Sequence, residues 1–170
     1  MFSPLEAYAF GGGIFMKGKV YLFCILLTQT AGAAVMKAVR NDITQFAGSI
    51  PQSLVFPFPA GYTILFFLLL TLMGISAARF CLASPKADRQ IGINLYICQL
   101  IFLLFWNLLF FHFKIYGLAF YWLMVLWLLL LLMLLAFRQS DKISALLSTP
   151  CFLWITYCGM VNFIVWQLNR

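Results

Sequence analysis

Residues 116–137 read YGLAFYWLMVLWLLLLLMLLAF, and this stretch contains no charged residue. A helix of roughly 20 apolar residues is as long as the hydrocarbon core of a bilayer is thick, so the stretch predicts a membrane-spanning helix. The rest of the chain has the same character, since 65% of its 170 residues are hydrophobic, 9% are charged and the mean hydropathy is +1.01. Soluble domains carry about 25% charged residues. The sequence therefore predicts an integral membrane protein.

Apolar stretches of similar length recur along the chain. They predict five spans, at about residues 20–37, 60–79, 91–113, 116–137 and 150–168. Pro51, Pro57 and Pro59 interrupt the pattern before the second span, so residues 38–59 are predicted to form an irregular connector.

The start of the last span and the absence of strand patterns complete the fold prediction. Thr149 and Pro150 fit the N-cap and the first residue of the last helix. No stretch alternates apolar and polar residues as a half-buried strand does. The predicted fold class is an all-α membrane protein, a bundle of five transmembrane helices that forms a single domain over residues 1–170.

Charges at the ends of the spans predict the orientation in the membrane. With five spans, the N-terminus lies on the same side as the second and fourth loops, and that side holds seven of the 11 Lys and Arg residues. The positive-inside rule then places the N-terminus in the cytoplasm. The basic residues stand singly between apolar stretches and form no basic stripe with interleaved aromatic residues, so nucleic acid is not a predicted partner.

Residue types that carry catalysis or bind metals form no recognisable set. The five cysteines are odd in number and include no CxxC pair, which predicts neither a zinc site nor a closed set of disulfides. His112, the only histidine, stands at a helix end next to Phe113 and Lys114, a place typical of an interfacial residue. No Ser/His/Asp set and no Gly-rich phosphate loop is present. We therefore predict no catalytic residue, no bound metal and no cofactor.

Polar and aromatic residues share one face on two of the predicted helices. On the third span, Tyr96, Gln99, Leu103, Trp106 and Phe110 recur at intervals of three and four; on the fifth, Trp154, Cys158, Asn162, Val165 and Asn169 do the same. Such spacing places each set on one side of a helix. An amide without a partner in hydrocarbon costs about 4–8 kcal/mol, so both faces are predicted to look inward, toward each other or toward a cavity.

Two segments resemble the TspO/MBR family of tryptophan-rich sensory proteins and translocator proteins. These are LYICQLIFLLFWNLLFF at 95–111 and PCFLWITYCGMVNFIVWQLN at 150–169. The positions that match the family pattern are Leu95, Tyr96, Gln99, Leu100, Trp106, Phe110 and Phe111 in the third helix, and Pro150, Trp154, Asn162, Val165, Leu168 and Asn169 in the fifth.

Several positions depart from the family pattern. Leu103 stands where the family has an Asn, with Asn107 one turn later as a stand-in, and Cys151 replaces the Tyr that follows the fifth-helix proline. Phe66 stands where a Trp is expected. The sterol motif of some members needs a Tyr and a basic residue where this chain has Phe163 and Gln167, so the resemblance does not imply sterol binding.

The resemblance implies a five-helix bundle with an intramembrane aromatic pocket for flat hydrophobic ligands such as porphyrins, and a homodimer surrounded by membrane lipid. Aromatic walls with few polar groups suit a rigid planar ring system. The ligand-binding residues that the matched positions and their neighbours predict are Phe66, Tyr96, Gln99, Trp106, Asn107, Phe110, Trp154, Cys158 and Asn162.

Each prediction has an alternative that the sequence leaves open. Trp106 and Trp154 could serve only to pack helices, and Asn162 could hydrogen-bond another helix instead of a ligand. For the protein as a whole, binding linked to transport or sensing of porphyrins is the favoured function. One alternative is a light-dependent enzyme that degrades porphyrin, and the other is a non-catalytic accessory subunit of a larger membrane complex.

Overall fold

The computed structural model describes the backbone of residues 4–49 and 60–169 and the side chains of residues 17–48, 60–86 and 88–169. The helices are α1 (Pro4–Ser49), α2 (Ala60–Ala83), α3 (Lys86–Asn107), α4 (Tyr116–Ser140) and α5 (Lys142–Leu168), and α3 continues into a π-helical turn, Leu108–His112, called the π-turn below. Within this part of the chain there is no strand, and five helices are long and apolar enough to cross a membrane. The predicted five-helix membrane bundle is confirmed.

The helices form a closed ring in the order α1, α2, α5, α4, α3, and the ring closes where α3 and the π-turn return to α1. The α1–α2 contact is close enough to require a glycine. A Cβ atom on Gly74 would lie 2.9 Å from the Cα atom of Ile25, too near for any side chain without movement of the backbone. Nearby, Gln29 Nε2 on α1 donates to the Phe67 carbonyl oxygen (3.1 Å) and the Thr71 hydroxyl (2.6 Å) on α2.

The first helix is longer than predicted, because residues 38–49 are helical where the sequence suggested an irregular connector. Met36, Val39, Ile43 and Phe46 follow one another at helical spacing, and all four are buried against the bundle. This packing stabilises a helix that continues past the charged residues Lys37 and Arg40. At 1.5 Å per residue, α1 is about 69 Å long, roughly twice the thickness of the hydrocarbon core.

The last helix starts before the predicted Thr149 and Pro150, which lie inside α5. Asp141 is its N-cap, because its carboxylate accepts from the backbone N–H groups of Ile143 (3.3 Å) and Ser144 (3.2 Å). Pro150 removes one helical hydrogen-bond donor, and Thr149 turns its hydroxyl back onto the Ala145 carbonyl oxygen (3.1 Å). The Asp141 cap is therefore the true start signal.

The bundle end where α5 begins is held by a polar network, the polar clamp. Ser76 Oγ on α2 donates to the Ser144 carbonyl oxygen (2.6 Å) and accepts from Ser148 Oγ (2.8 Å) on α5. Arg79 Nε donates to Asp141 Oδ2 at 3.0 Å, and Ser144 Oγ donates to the same oxygen at 2.6 Å. The pKa of Asp141 is lowered from its ordinary value, chiefly by the Ser144 hydroxyl and then by Arg79 and the Ile143 N–H.

Candidate functional site

At the opposite end of the bundle from the polar clamp, aromatic rings from α1, α2, α3, the π-turn and α5 form one buried group, the aromatic cluster. Its members are Phe46, Tyr62, Phe66, Trp106, Phe110, Phe111 and Trp154. Six of these rings are buried, and Trp154 is half-buried. The cluster brings together four of the predicted site residues: Phe66, Trp106, Phe110 and Trp154.

The rings pack edge to face and in offset stacks. The Tyr62 ring centroid lies 5.4 Å from that of Phe111 and 6.1 Å from that of Trp154, so Tyr62 connects α3 to α5. The Phe46 ring contacts Phe110 at 5.1 Å and Phe111 at 5.5 Å, both edge on. Contacts of this kind add about 0.5–1.5 kcal/mol each beyond the burial of surface.

The π-turn allows two consecutive aromatic residues to enter the cluster. Phe110 and Phe111 are both buried, and their rings meet at 5.0 Å in an edge-to-face contact. A π-helical turn holds one more residue than an α-helical turn, and single turns of this kind occur frequently at functional sites. The extra residue lets Phe110 stack on Trp106 while Phe111 reaches Tyr62.

Asn162, a predicted ligand contact, has three protein partners. In the amide orientation that pairs donors with acceptors, Nδ2 donates to the Tyr116 carbonyl oxygen (3.0 Å), and Oδ1 accepts from the Phe120 N–H and the Trp106 Nε1–H, both at 3.2 Å. These bonds offset the cost of burying the amide. Asn162 therefore ties α5 to α4 and fixes the Trp106 ring, as the interhelical alternative for this residue predicted.

Asn107 holds the Tyr62 side chain of the cluster by a hydrogen bond. Its Nδ2 donates to the Leu103 carbonyl oxygen at 2.8 Å, and its Oδ1 accepts a hydrogen bond from the Tyr62 hydroxyl. Asn107 is fully buried. The residue thus positions Tyr62, whose ring lies between Phe66 and Trp154.

Two predicted site residues, Tyr96 and Gln99, lie apart from the cluster, nearer the N-terminal end of α3. Gln99 Nε2 contacts Met73 Sδ at 3.8 Å, and the same sulfur accepts from Cys151 Sγ at 3.3 Å. The buried Gln99 Oε1 and Tyr96 hydroxyl have no hydrogen-bond partner of ordinary geometry. The helical spacing on α3 correctly placed Tyr96 and Gln99 inside the bundle, but neither lines the space that the aromatic residues enclose.

The space inside the cluster is small. It measures about 20 Å³ and is lined by Trp106, Phe110, Trp154 and Cys158, four of the predicted residues, together with Phe46, Tyr62, Phe111, Tyr157 and Val161. A volume of 10–15 Å³ is roughly what one water molecule needs. The space is therefore too small for a drug-sized molecule, since pockets for such molecules measure about 300–1,000 Å³.

Sequence reasoning missed Phe46, Tyr62 and Phe111 as site residues. Phe111 belongs to the matched third-helix pattern, and Phe46 continues the buried series of Val39 and Ile43, so a signal for each was present. Tyr62 gave no signal, because its role depends on a contact with Asn107 across 45 positions.

Metal binding has no support among the residues that the structure describes, since no three His, Cys, Asp or Glu side chains lie together there. His112 is instead the ion-pair partner of Asp42, with Nδ1 3.0 Å from Oδ2. This pair lies on the same α1–π-turn contact as Phe46, Phe110 and Phe111.

The fold and the cluster define the class: a multi-pass integral membrane protein whose five helices enclose a buried aromatic cluster. A sequence model described as the TspO/MBR family matches residues 24–167, so the chain belongs to that family. Protein CrtK of Rhodobacter capsulatus is 27% identical over 151 residues, which cover 88% of this chain and 91% of that protein. Tryptophan-rich protein TspO of Chlorobaculum tepidum is 30% identical over 113 residues, 66% of this chain and 69% of that protein. The predicted family is confirmed.

Proposed function

We propose that the protein binds flat hydrophobic ligands of the porphyrin class at the aromatic cluster, as part of their transport or sensing. The observation that carries this proposal is the set of rings around the enclosed space, which includes Trp106, Trp154 and Tyr62 and no charged side chain. Planar rings gain most from such a lining, because stacked and edge-on contacts add to the burial of apolar surface.

Binding at this place requires the cluster to open, because about 20 Å³ cannot hold a tetrapyrrole. The contact of α1 with the π-turn is the part of the wall best suited to move. Among the described residues, this contact includes ring contacts made by Phe46 and the pair between Asp42 and His112. The His112 side chain is 56% exposed, and an ion pair this open contributes at most about 1 kcal/mol.

The test is a titration of the detergent-purified protein with protoporphyrin, followed by tryptophan fluorescence. We expect saturable quenching, and we expect Trp154→Phe to weaken binding several-fold because Trp154 lines the enclosed space. The matched control is Trp127→Phe, since Trp127 lies outside the cluster and donates to the Thr156 hydroxyl (3.0 Å). Quenching that never saturates, or equal loss in both variants, would contradict the proposal.

We also propose that the N-terminus is cytoplasmic and that the protein is a homodimer. The orientation rests on the distribution of Lys and Arg between the two sides, and the dimer rests on the family resemblance. Accessibility of a cysteine introduced next to Lys17 in sealed cells tests the first. Mass measurement of the detergent-solubilised protein by light scattering tests the second.

A further inference from the structure

A second, larger concavity lies outside the aromatic cluster, between α1 and α2. This α1–α2 groove measures about 560 Å³, within the range of small-molecule sites, and the structure leaves it open along one side. Ala33, Met36, Ile64 and Phe67 give it an apolar floor and walls. Two of its lining residues, Ala33 on α1 and Ala60 at the start of α2, have small side chains.

Two basic side chains, Lys37 and Arg40, stand at one end of the groove. Both are exposed, and their spacing of three places them on one face of α1 with Ala33. Among the residues that the structure describes, the ion pairs are Arg79–Asp141 and Asp42–His112, and neither involves these two cations.

No acidic residue lines the groove within the described part of the chain. Asp42 is the one acidic residue in the described side chains of α1, its carboxylate lies 3.0 Å from His112 Nδ1, and α2 has no acidic residue. The lining therefore combines two cations with an apolar surface. Thr44 and Thr63 add hydroxyl groups to the same lining.

The depth of the groove in the membrane identifies the kind of ligand. Val20–Met36 carries no charge, so Lys37 is the first charged residue after the apolar part of α1 and marks where the helix leaves the hydrocarbon. Lipid phosphate groups lie at this level, and Lys and Arg side chains near a membrane surface attract anionic headgroups. A phospholipid there would place its phosphate on Lys37 and Arg40 and an acyl chain along Ala33, Ile64 and Phe67.

We propose that the α1–α2 groove is a binding site for an anionic phospholipid. Lys37 and Arg40 would bind the phosphate, and the apolar floor and walls of the groove would hold an acyl chain. This site is separate from the aromatic cluster and does not depend on porphyrin binding. A lipid is favoured over a buried planar ligand because exposed residues of the outer bundle surface, Ala33 and Ile64, line the groove, which joins this apolar surface to two cations.

The test is native mass spectrometry of the full chain in neutral detergent, titrated with phosphatidylglycerol or with phosphatidylcholine of the same acyl chains. We expect the protein to prefer phosphatidylglycerol, and Lys37→Gln/Arg40→Gln to lower that affinity roughly 30-fold, since each basic residue near anionic lipid contributes about 1 kcal/mol. The matched control is Lys17→Gln/Lys19→Gln, which removes the same charge from exposed positions nearer the start of the same helix.

A third variant separates a shaped site from simple charge attraction. Ala33→Phe keeps both cations and fills the groove, so we expect it to lower phosphatidylglycerol affinity as well. Size-exclusion profiles and melting temperatures should be unchanged in all three variants, because the altered residues are exposed. Equal losses in the two double variants, or full affinity in Ala33→Phe, would overturn the proposal. A loss of protoporphyrin affinity in Lys37→Gln/Arg40→Gln that exceeds its loss of phosphatidylglycerol affinity would also overturn it.

Discussion

The two ends of the bundle are held together by different kinds of interaction. At the polar clamp, α2 and α5 share short, directional hydrogen bonds through Ser76 and Ser148, and Arg79 pairs with Asp141. At the aromatic cluster, α1 meets the π-turn through ring contacts and one exposed ion pair. Ring contacts tolerate sliding, whereas hydrogen bonds require defined geometry. The clamped end is therefore the contact with the more defined geometry, and our proposal that a ligand enters the cluster places the movement where α1 meets the π-turn.

The largest effect on stability is expected from Asn162→Asp at the aromatic end. An aspartate cannot donate to the Tyr116 carbonyl oxygen, and burying an ionised carboxylate inside the bundle costs several kcal/mol. Asn162→Leu is the control, because it removes the hydrogen bonds without adding a charge and should cost about 1 kcal/mol. Both are measured by thermal unfolding in detergent. Equal tolerance of the two substitutions would mean that water reaches the cluster, and the aromatic end would then be open already.

A smaller loss is expected at the clamped end from Asp141→Ala. This change removes the N-cap of α5 and the partner of Arg79, and caps of this kind contribute about 0.5–2 kcal/mol. Asp141→Asn keeps an oxygen that can cap the helix and should lose only the ion pair, up to about 1 kcal/mol. Urea titration of the unfolding transition compares the two variants. Identical losses would show that charge, and not capping, holds this end.

Acid should weaken the clamped end specifically. The folded-state pKa of Asp141 is lowered below its ordinary value of 3.8, so its contribution is full above that value and is lost as the pH falls through the lower, folded pKa. We expect the melting temperature of the wild type to fall below about pH 4 and the fall to be shallower in Asp141→Asn. A parallel decline in both proteins would assign the acid sensitivity to other carboxylates.

The smallest effect on stability is expected from Asp42→Asn, which breaks the ion pair with His112 at the aromatic end. The cost should be below about 1 kcal/mol, because the pair is largely exposed. If opening of α1 limits entry, the same change should tighten protoporphyrin binding up to about fivefold, since less free energy is needed to open the cluster. Asp88→Asn, an exposed acidic residue on α3, is the control. Unchanged or weaker binding in Asp42→Asn would place the entrance elsewhere.

The sequence predicted most securely what depends on one helix at a time. Helical spacing alone put Gln99, Trp106, Cys158 and Asn162 on buried faces. It was wrong for Asn169, which the same spacing put on the inward face of the fifth span but which is exposed. It failed at the start of α5, where Pro150 looks like a first residue but the earlier Asp141 is the cap. It also failed for residues 38–49, where the prolines that follow predict an irregular connector, whereas the packing of Ile43 and Phe46 keeps the helix intact.

Features that depend on several helices could not be predicted. The π-turn lies in a stretch whose sequence predicts an uninterrupted α-helix, so no residue between 108 and 112 indicates it. The Tyr62–Asn107 hydrogen bond and the small size of the enclosed space depend on how the helices fit together.

The length of α1 places the aromatic cluster far from the close contact of this helix with α2. The α1 backbone touches α2 where Ile25 meets Gly74, and Phe46 lies 21 positions further on, about 32 Å along the axis. A rotation of α1 by about 5° around the contact of Ile25 with Gly74 would move Phe46 by about 3 Å, enough to withdraw its ring from Phe110 and Phe111. The same rotation would barely displace the residues next to Ile25. A small tilt of α1 about its contact with Gly74 would therefore produce a much larger displacement at the aromatic rings.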